Sequence, residues 1–184
     1  MKRREFIALV GGVAWPIKVG AQHSAIPVIG YLFLGSQRSI QPLIEAFQTG
    51  LAGLGYTEGK NIRVLYRFAD GQTDRLSALT IELVALGAKM ILTAGAASIE
   101  AAHKAAPTVP IVSLIGPDPV MMGWAKTYAR PGGMITGQFF NAGSAKRLEL
   151  LKELRPQATS FGLLMSSTNP ATTRIKNVAI SGAR

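Results

Sequence analysis

The alternation of apolar, strand-like runs with helix-like segments is the feature that most limits the folds open to this chain. Ile26–Leu34 is a continuous apolar run, and Ile40–Leu54 follows it with apolar side chains at helical intervals. Strands that are apolar on both faces are typical of parallel sheets covered by helices on each side. The pattern therefore predicts an α/β fold built on a doubly wound parallel sheet. The further predicted elements are strands at Asn61–Ala69, Lys89–Thr93, Pro110–Ile115, Met134–Phe140 and Ser160–Met165, and helices at Arg75–Leu86, Ala97–Ala106 and Gly143–Leu154.

The N-terminal segment has the order of an export signal. Met1–Glu5 is basic, Phe6–Trp15 is an apolar run of ten residues, and small residues end at Ala21. The run is too short for a membrane span but suits a signal peptide. Arg3-Arg4-Glu5-Phe6-Ile7 also resembles a twin-arginine signal, although Lys2 stands where Ser or Thr usually precedes the arginine pair. We therefore expect residues 1–21 to be cleaved after Ala21 and the protein to be periplasmic; a basic N-terminus ahead of a buried strand is the alternative.

Composition excludes several classes of function. The net charge is +10, but the basic residues are spread along the chain and are not interleaved with aromatic ones, which disfavours a nucleic-acid partner. Without cysteine, and with two histidines, the chain is poor in metal ligands, so no metal or other cofactor is expected. No phosphate-binding loop, dinucleotide fingerprint or nucleophile elbow is present, so we do not expect an enzyme.

The loops after the strands are the candidate ligand sites, because ligands of parallel α/β sheets bind at the carboxyl ends of the strands. Thr93–Ser98 joins a strand to a helix through small residues, which suits either a bound carboxylate or phosphate or close packing of a self-capped helix. Ser36 follows the first strand and fits a helix cap or a ligand contact. Asp118 lies between two prolines and fits an Asx turn or a contact to a ligand ammonium.

Several segments resemble one known family in order and spacing. The strongest are LGYTEGKNIRVLYRFADG and AKRLELLKELRP, with PIVSLIGPDPVMMG and RPGGMITGQFF between them. They are similar to bacterial ABC-transporter substrate-binding proteins of the tryptophan- and tyrosine-binding type. The resemblance implies a type 1 periplasmic binding fold, in which two α/β lobes hold a small-molecule ligand between them. It also implies that the ligand is an amino acid or similar solute and is delivered to an ABC permease and ATPase in the membrane.

The resemblance also assigns residues to the ligand site. Ala97 stands where the family commonly has threonine, so one hydroxyl contact is lost unless Ser98 replaces it. In the turn before the fifth strand, Pro117 replaces a glycine. The implied ligand-binding residues are Ser36, Ala96, Ala97, Ser98, Asp118 and Asn141.

Domain boundaries follow from the same resemblance. Residues 26–140 are expected to form the N-terminal lobe, and residues 141–184 the truncated start of a second lobe. Ala171–Arg184 lacks a clear apolar period and is interpreted as an aberrant tail. Closure over a ligand needs two lobes, so a truncated relic that binds nothing tightly is an alternative. A flavodoxin-like enzyme is the alternative from another functional class.

Overall fold

A five-stranded parallel sheet forms the centre of the computed structural model, which describes residues 26–140 and 143–181. The strand order is β2-β1-β3-β4-β5, and every pairing between neighbours is parallel. This confirms the predicted α/β, doubly wound parallel sheet. The strands are β1 (Val28–Phe33), β2 (Arg63–Phe68), β3 (Met90–Thr93), β4 (Ile111–Pro117) and β5 (Ile135–Phe140). The helices are α1 (Gln37–Gly53), α2 (Arg75–Ala85), α3 (Ala96–Ala105), α4 (Ser144–Leu154) and α5 (Thr172–Ser181).

Helices cover both faces of the sheet. On one face, α1 buries Ile40 and Ile44 against Tyr31 and Leu92. On the other face, α2 and α3 pack over the strands, and their inward-facing side chains Leu76, Leu83 and Ile99 are fully buried. Burial of each such side chain contributes about 1.5–3 kcal/mol, so these two layers are the main source of stability. The large, fully buried members of the second layer are Leu32, Leu76, Leu83, Ile91, Ile99 and Ile111.

A glycine in β5 allows the edge strand to approach β4 closely. Gly137 has a φ of +128°, and a Cβ placed on it would lie 2.1 Å from the backbone oxygen of Ser113. The pairing register shifts between Ser113 and Gly116 at the same place. Any side chain at position 137 would therefore collide with backbone that is held in the sheet.

Two expectations for the C-terminal part are wrong. Ser160–Met165 is not a strand: it forms no ladder with any described strand, and Leu164 is fully exposed. Strand formers need a neighbouring strand to bond their backbone, and local preference alone does not supply one. Conversely, α5 forms where no helical period was expected. Its buried side chains are alanines, Ala171 just before the helix and Ala179 within it, with half-buried Ile175 between them at a four-residue spacing.

Candidate functional site

A cavity of about 230 Å³ opens at the carboxyl edge of the sheet. One wall is formed by Leu34 after β1, Thr73 before α2, and Ala94–Ser98 at the start of α3. The opposite wall is the segment that precedes α5 and contributes Ser166, Thr168 and Asn169. The cavity thus lies where a parallel sheet presents its loops, and polar side chains line both of its walls.

The first turn of α3 lines this cavity without a side-chain cap. Gly95 precedes the helix with a φ of +81°, and its backbone N–H donates to the carbonyl oxygen of Ile115 at 2.8 Å. No side chain caps the helix and no acidic residue lies in its first turn. The first-turn N–H groups of a helix have no partner within it and form the positive end of its dipole. This wall is therefore suited to an anionic group.

Ser98 adds a hydroxyl group to the same turn. The residue is 1% exposed, and its Oγ has no hydrogen-bond partner among the residues that the structure describes. A buried hydroxyl without a partner costs about 1–3 kcal/mol, so such groups are uncommon in folded proteins. Ser98 is among the residues that line the cavity. Ala96 lines the cavity too, but its side chain packs against Met122 and Ala171.

The second wall is held in place by α5. The guanidinium of Arg174 donates to the carbonyl oxygen of Met122 at 2.7 Å, which ties α5 to the loop after β4. Within the wall, the Oγ of Ser166 lies 3.0 Å from the Oγ1 of Thr168. Asn169 uses its Oδ1 to accept the N–H of Ala171 at 2.9 Å. The position of these polar groups is therefore fixed relative to the sheet.

The polar residues of this wall were not among the residues predicted for the site. A signal was nevertheless present, because Ser166–Asn169 directly follows the predicted strand Ser160–Met165, as the other candidate loops follow theirs. Thr73 was missed for a different reason. It lies in the loop between β2 and α2, at the same carboxyl edge of the sheet, and that loop was not among the candidate loops.

Asp118 lies in a second cavity, of about 400 Å³, beneath the connection from β4 to β5. Its Oδ1 accepts the N–H groups of Val120 (2.9 Å) and Met121 (3.0 Å), and its Oδ2 accepts the hydroxyl of Tyr128. Partial burial raises the pKa of Asp118, but these three hydrogen bonds outweigh it and hold the pKa below its usual value. The carboxylate therefore forms the Asx-type turn that the sequence left open, and it anchors Tyr128.

Of the remaining predicted site residues, Ser36 does not line the cavity that contains Ser98. Ser36 occupies the N-cap position of α1 without a side-chain cap bond, and its carbonyl oxygen accepts the Oγ of Ser39 at 2.6 Å. Ala97 lines the first cavity beside Ser98. Asn141 lies outside the described residues, as do residues 1–21. Of the six residues, the structure brings Ala96, Ala97 and Ser98 together.

Across residues 26–140 and 143–181, no three His, Cys, Asp or Glu side chains come together as a metal site would require. None of the helices described in those ranges combines the length and the apolar character of a membrane span.

Comparison with known proteins places the chain in a family. The family model described as "ABC transporter substrate binding protein" matches residues 33–182. A tyrosine-binding protein from Clostridioides difficile is 27% identical over 140 residues, which is 76% of this chain and 41% of that protein. The match to the family model includes most of the segment after Ala171, for which the sequence suggested no relationship.

Solved structures show the same fold. A domain from Streptococcus pneumoniae in complex with L-Trp gives a TM-score of 0.72 at 23% identity, over 85% of this chain and 53% of that one. A conserved domain protein from Vibrio cholerae gives 0.73 at 22% identity, over 86% and 53%. The chain thus spans about half the length of the relatives that it matches. Since the family model covers most of its residues, the chain belongs to the ABC transporter substrate-binding protein family.

Proposed function

We propose that this chain serves an ABC import system by holding the carboxylate of an amino acid at the start of α3. The observation that carries the proposal is the buried Ser98 hydroxyl, which has no partner among the described residues and lies in an uncapped first helical turn. A carboxylate accepts hydrogen bonds from both the hydroxyl and the first-turn N–H groups. Favourable interaction with the helix dipole adds about 0.3–1 kcal/mol, or ~2 in a partly buried site.

The size of the cavity favours a small solute. Ligand pockets for drug-sized molecules enclose about 300–1,000 Å³, whereas this one encloses about 230 Å³. An amino acid is of suitable size, with its side chain extending past the polar wall at Ser166–Asn169. One relative is named a tyrosine-binding protein and one similar domain was solved with L-Trp. Aromatic amino acids are therefore the first ligands to test.

Residues 26–140 act in this proposal as the first lobe of a two-lobed binding protein, and residues 141–184 as the start of a second. Two-lobed proteins bind by hinge closure, and each lobe supplies part of the ligand contacts. The first turn of α3 supplies the first lobe's share of those contacts. A relic that binds nothing tightly is the alternative.

Delivery and location follow from the family and the N-terminal sequence. The bound solute passes to an ABC permease and ATPase in the membrane, and no nucleic acid or cofactor takes part.

Residues 1–21 direct export to the periplasm by a twin-arginine-like route. Replacing both Arg3 and Arg4 with lysine in the full chain tests this route. Loss of the processed form from the periplasmic fraction is expected, whereas unchanged export of this variant would contradict the route.

Isothermal titration of the 184-residue chain with matched ligands tests the binding proposal. L-Trp and indole-3-propionate keep the carboxylate, whereas tryptamine lacks it. We expect heat with the first two and none with tryptamine. Tryptamine binding as tightly as L-Trp would exclude a carboxylate site at α3. Absence of heat with L-Trp, L-Tyr and the other common amino acids would overturn binding itself and favour the non-binding relic.

A further inference from the structure

A threonine from outside α3 lines the same cavity as Ser98. Thr73 lies in the loop between β2 and α2, and both residues are among those that surround the cavity of about 230 Å³. Their loops lie at the same place because each connects a strand to a helix at the carboxyl edge of the sheet. The loop before α3 thus supplies one hydroxyl group to the cavity, and the loop before α2 supplies a second.

The hydroxyl of Thr73 is not used to hold the fold together. Its side chain is half-buried, and none of the hydrogen bonds among the described residues involves its Oγ1. A threonine just before a helix commonly caps it. Here α2 has no side-chain cap, and the N–H of Leu76 is instead accepted by the backbone oxygen of Thr73 at 3.3 Å. The hydroxyl is therefore available to a ligand.

The loop that carries Thr73 is held against the end of β1. The N–H groups of residues 69–71 donate to carbonyl oxygens of residues 33–35 at 2.7–3.4 Å. Asp70 has a φ of +51°, and its Oδ2 lies 3.2 Å from the Nη1 of Arg75. Backbone in this region is costly for residues other than glycine and is concentrated at functional sites. The loop therefore presents Thr73 in a set position before any ligand arrives.

We infer that Thr73 is a specificity-determining residue of the proposed carboxylate site, and the inference rests on that proposed function. A carboxylate has two oxygens, and both accept hydrogen bonds. Ser98 and the first-turn N–H groups of α3 hold one oxygen, and the Thr73 hydroxyl donates to the other. Hydrogen bonds to a charged group are roughly twice as strong as those between neutral groups, so donors on both oxygens favour a free carboxylate over its amide.

Isothermal titration with L-Trp, and competition by L-tryptophanamide, test this role. Thr73→Val removes the hydroxyl and keeps the shape of the side chain, whereas Thr73→Ser keeps the hydroxyl. We expect Thr73→Val to lose at least about tenfold in affinity for L-Trp and less for the amide, so the preference for L-Trp shrinks. Thr73→Ser should bind nearly as the wild type does. Thr136→Val is the matched control, because Thr136 lines the cavity that contains Asp118.

Different results overturn the proposed function and the role of Thr73. Absence of heat when the wild type is titrated with amino acids overturns both. Binding that is weakened in Ser98→Ala but unchanged in Thr73→Val overturns the role of Thr73 alone. An equal loss in Thr73→Ser and Thr73→Val would also overturn it, because the fit of the side chain and not its hydroxyl would then matter. Without ligand, Thr73→Val should keep the wild-type Tm, since the hydroxyl has no partner among the described residues.

Discussion

Truncation of Ser98 to alanine should move stability and ligand affinity in opposite directions. In the ligand-free protein the variant removes a buried hydroxyl that has no partner among the described residues. Such a group costs about 1–3 kcal/mol, and alanine is also the better helix former by a few tenths of a kcal/mol. Part of this gain in stability is lost because removal of the Oγ leaves a small cavity beside the helix. We expect a net stabilisation of about 1 kcal/mol, which raises Tm by about 2–4 °C for a chain of this length.

Affinity should fall in the same variant. A hydrogen bond to a charged group contributes about 1.5–3 kcal/mol, and each 1.4 kcal/mol is a factor of about ten in Kd. Titration with L-Trp or L-Tyr should therefore show at least a tenfold loss of affinity in Ser98→Ala. Differential scanning fluorimetry without ligand measures the stability change on the same samples.

Ser113→Ala is the matched control, because Ser113 is also 1% exposed but its Oγ donates to the carbonyl oxygen of Gln138 at 3.4 Å. That variant should lose about 0.5–1.5 kcal/mol of stability and keep its affinity. Destabilisation of Ser98→Ala to the same extent as Ser113→Ala would show that Ser98 has a structural partner. A Ser98→Ala variant that is more stable but binds as tightly as the wild type would show that the Ser98 hydroxyl does not contact the ligand.

Three further perturbations test other parts of the structure. Gly137→Ala should cost about 2–5 kcal/mol in urea unfolding, because its Cβ would strike backbone at a positive φ; a loss below about 1 kcal/mol would contradict the close approach. The lowered pKa of Asp118 gives stability that is present above the unfolded-state pKa and is lost as pH falls through the folded one. The Tm difference between wild type and Asp118→Asn should therefore shrink on acidification below about pH 4, and a difference independent of pH would oppose this. Arg174→Ala should speed backbone amide hydrogen exchange along α5, because it removes the hydrogen bond to the carbonyl oxygen of Met122. Lys176→Ala on the same helix is the control and should leave the exchange rates unchanged. Equal exchange rates in both variants would show that this hydrogen bond does not hold the second wall.

The strands and helices between residues 26 and 140 were predictable because the local spacing of apolar residues reflects which side chains are buried. β1 is apolar on both faces since helices cover both, and α1 and α2 carry apolar side chains at helical spacing for the same reason. The observed helices begin and end within a few residues of the predicted ones. The small residues before α3 were likewise visible as a candidate site, because strand–loop–helix order alone places them at the carboxyl edge.

The role of Asp118 could not be assigned from its residue type and its neighbours in the sequence. Its position between prolines suited either a ligand contact or a turn, and the choice depended on which donors lie near its two oxygens. Two of those donors are close in sequence, but the Tyr128 hydroxyl is brought to it by the path of the connection between β4 and β5.

Local patterns in the sequence were enough to predict the parallel sheet, most of its helices and the small-residue turn that carries Ser98, because each depends on contacts between neighbours in the chain or on a repeated apolar pattern. That the turn has no side-chain cap was seen only in the structure. Tertiary structure alone decided that Ser166–Asn169 faces that turn, since α5 is held there by an arginine about fifty residues from its acceptor. It also decided that Ser160–Met165 is no strand, because a strand exists only where another chain segment supplies the other half of its hydrogen bonds.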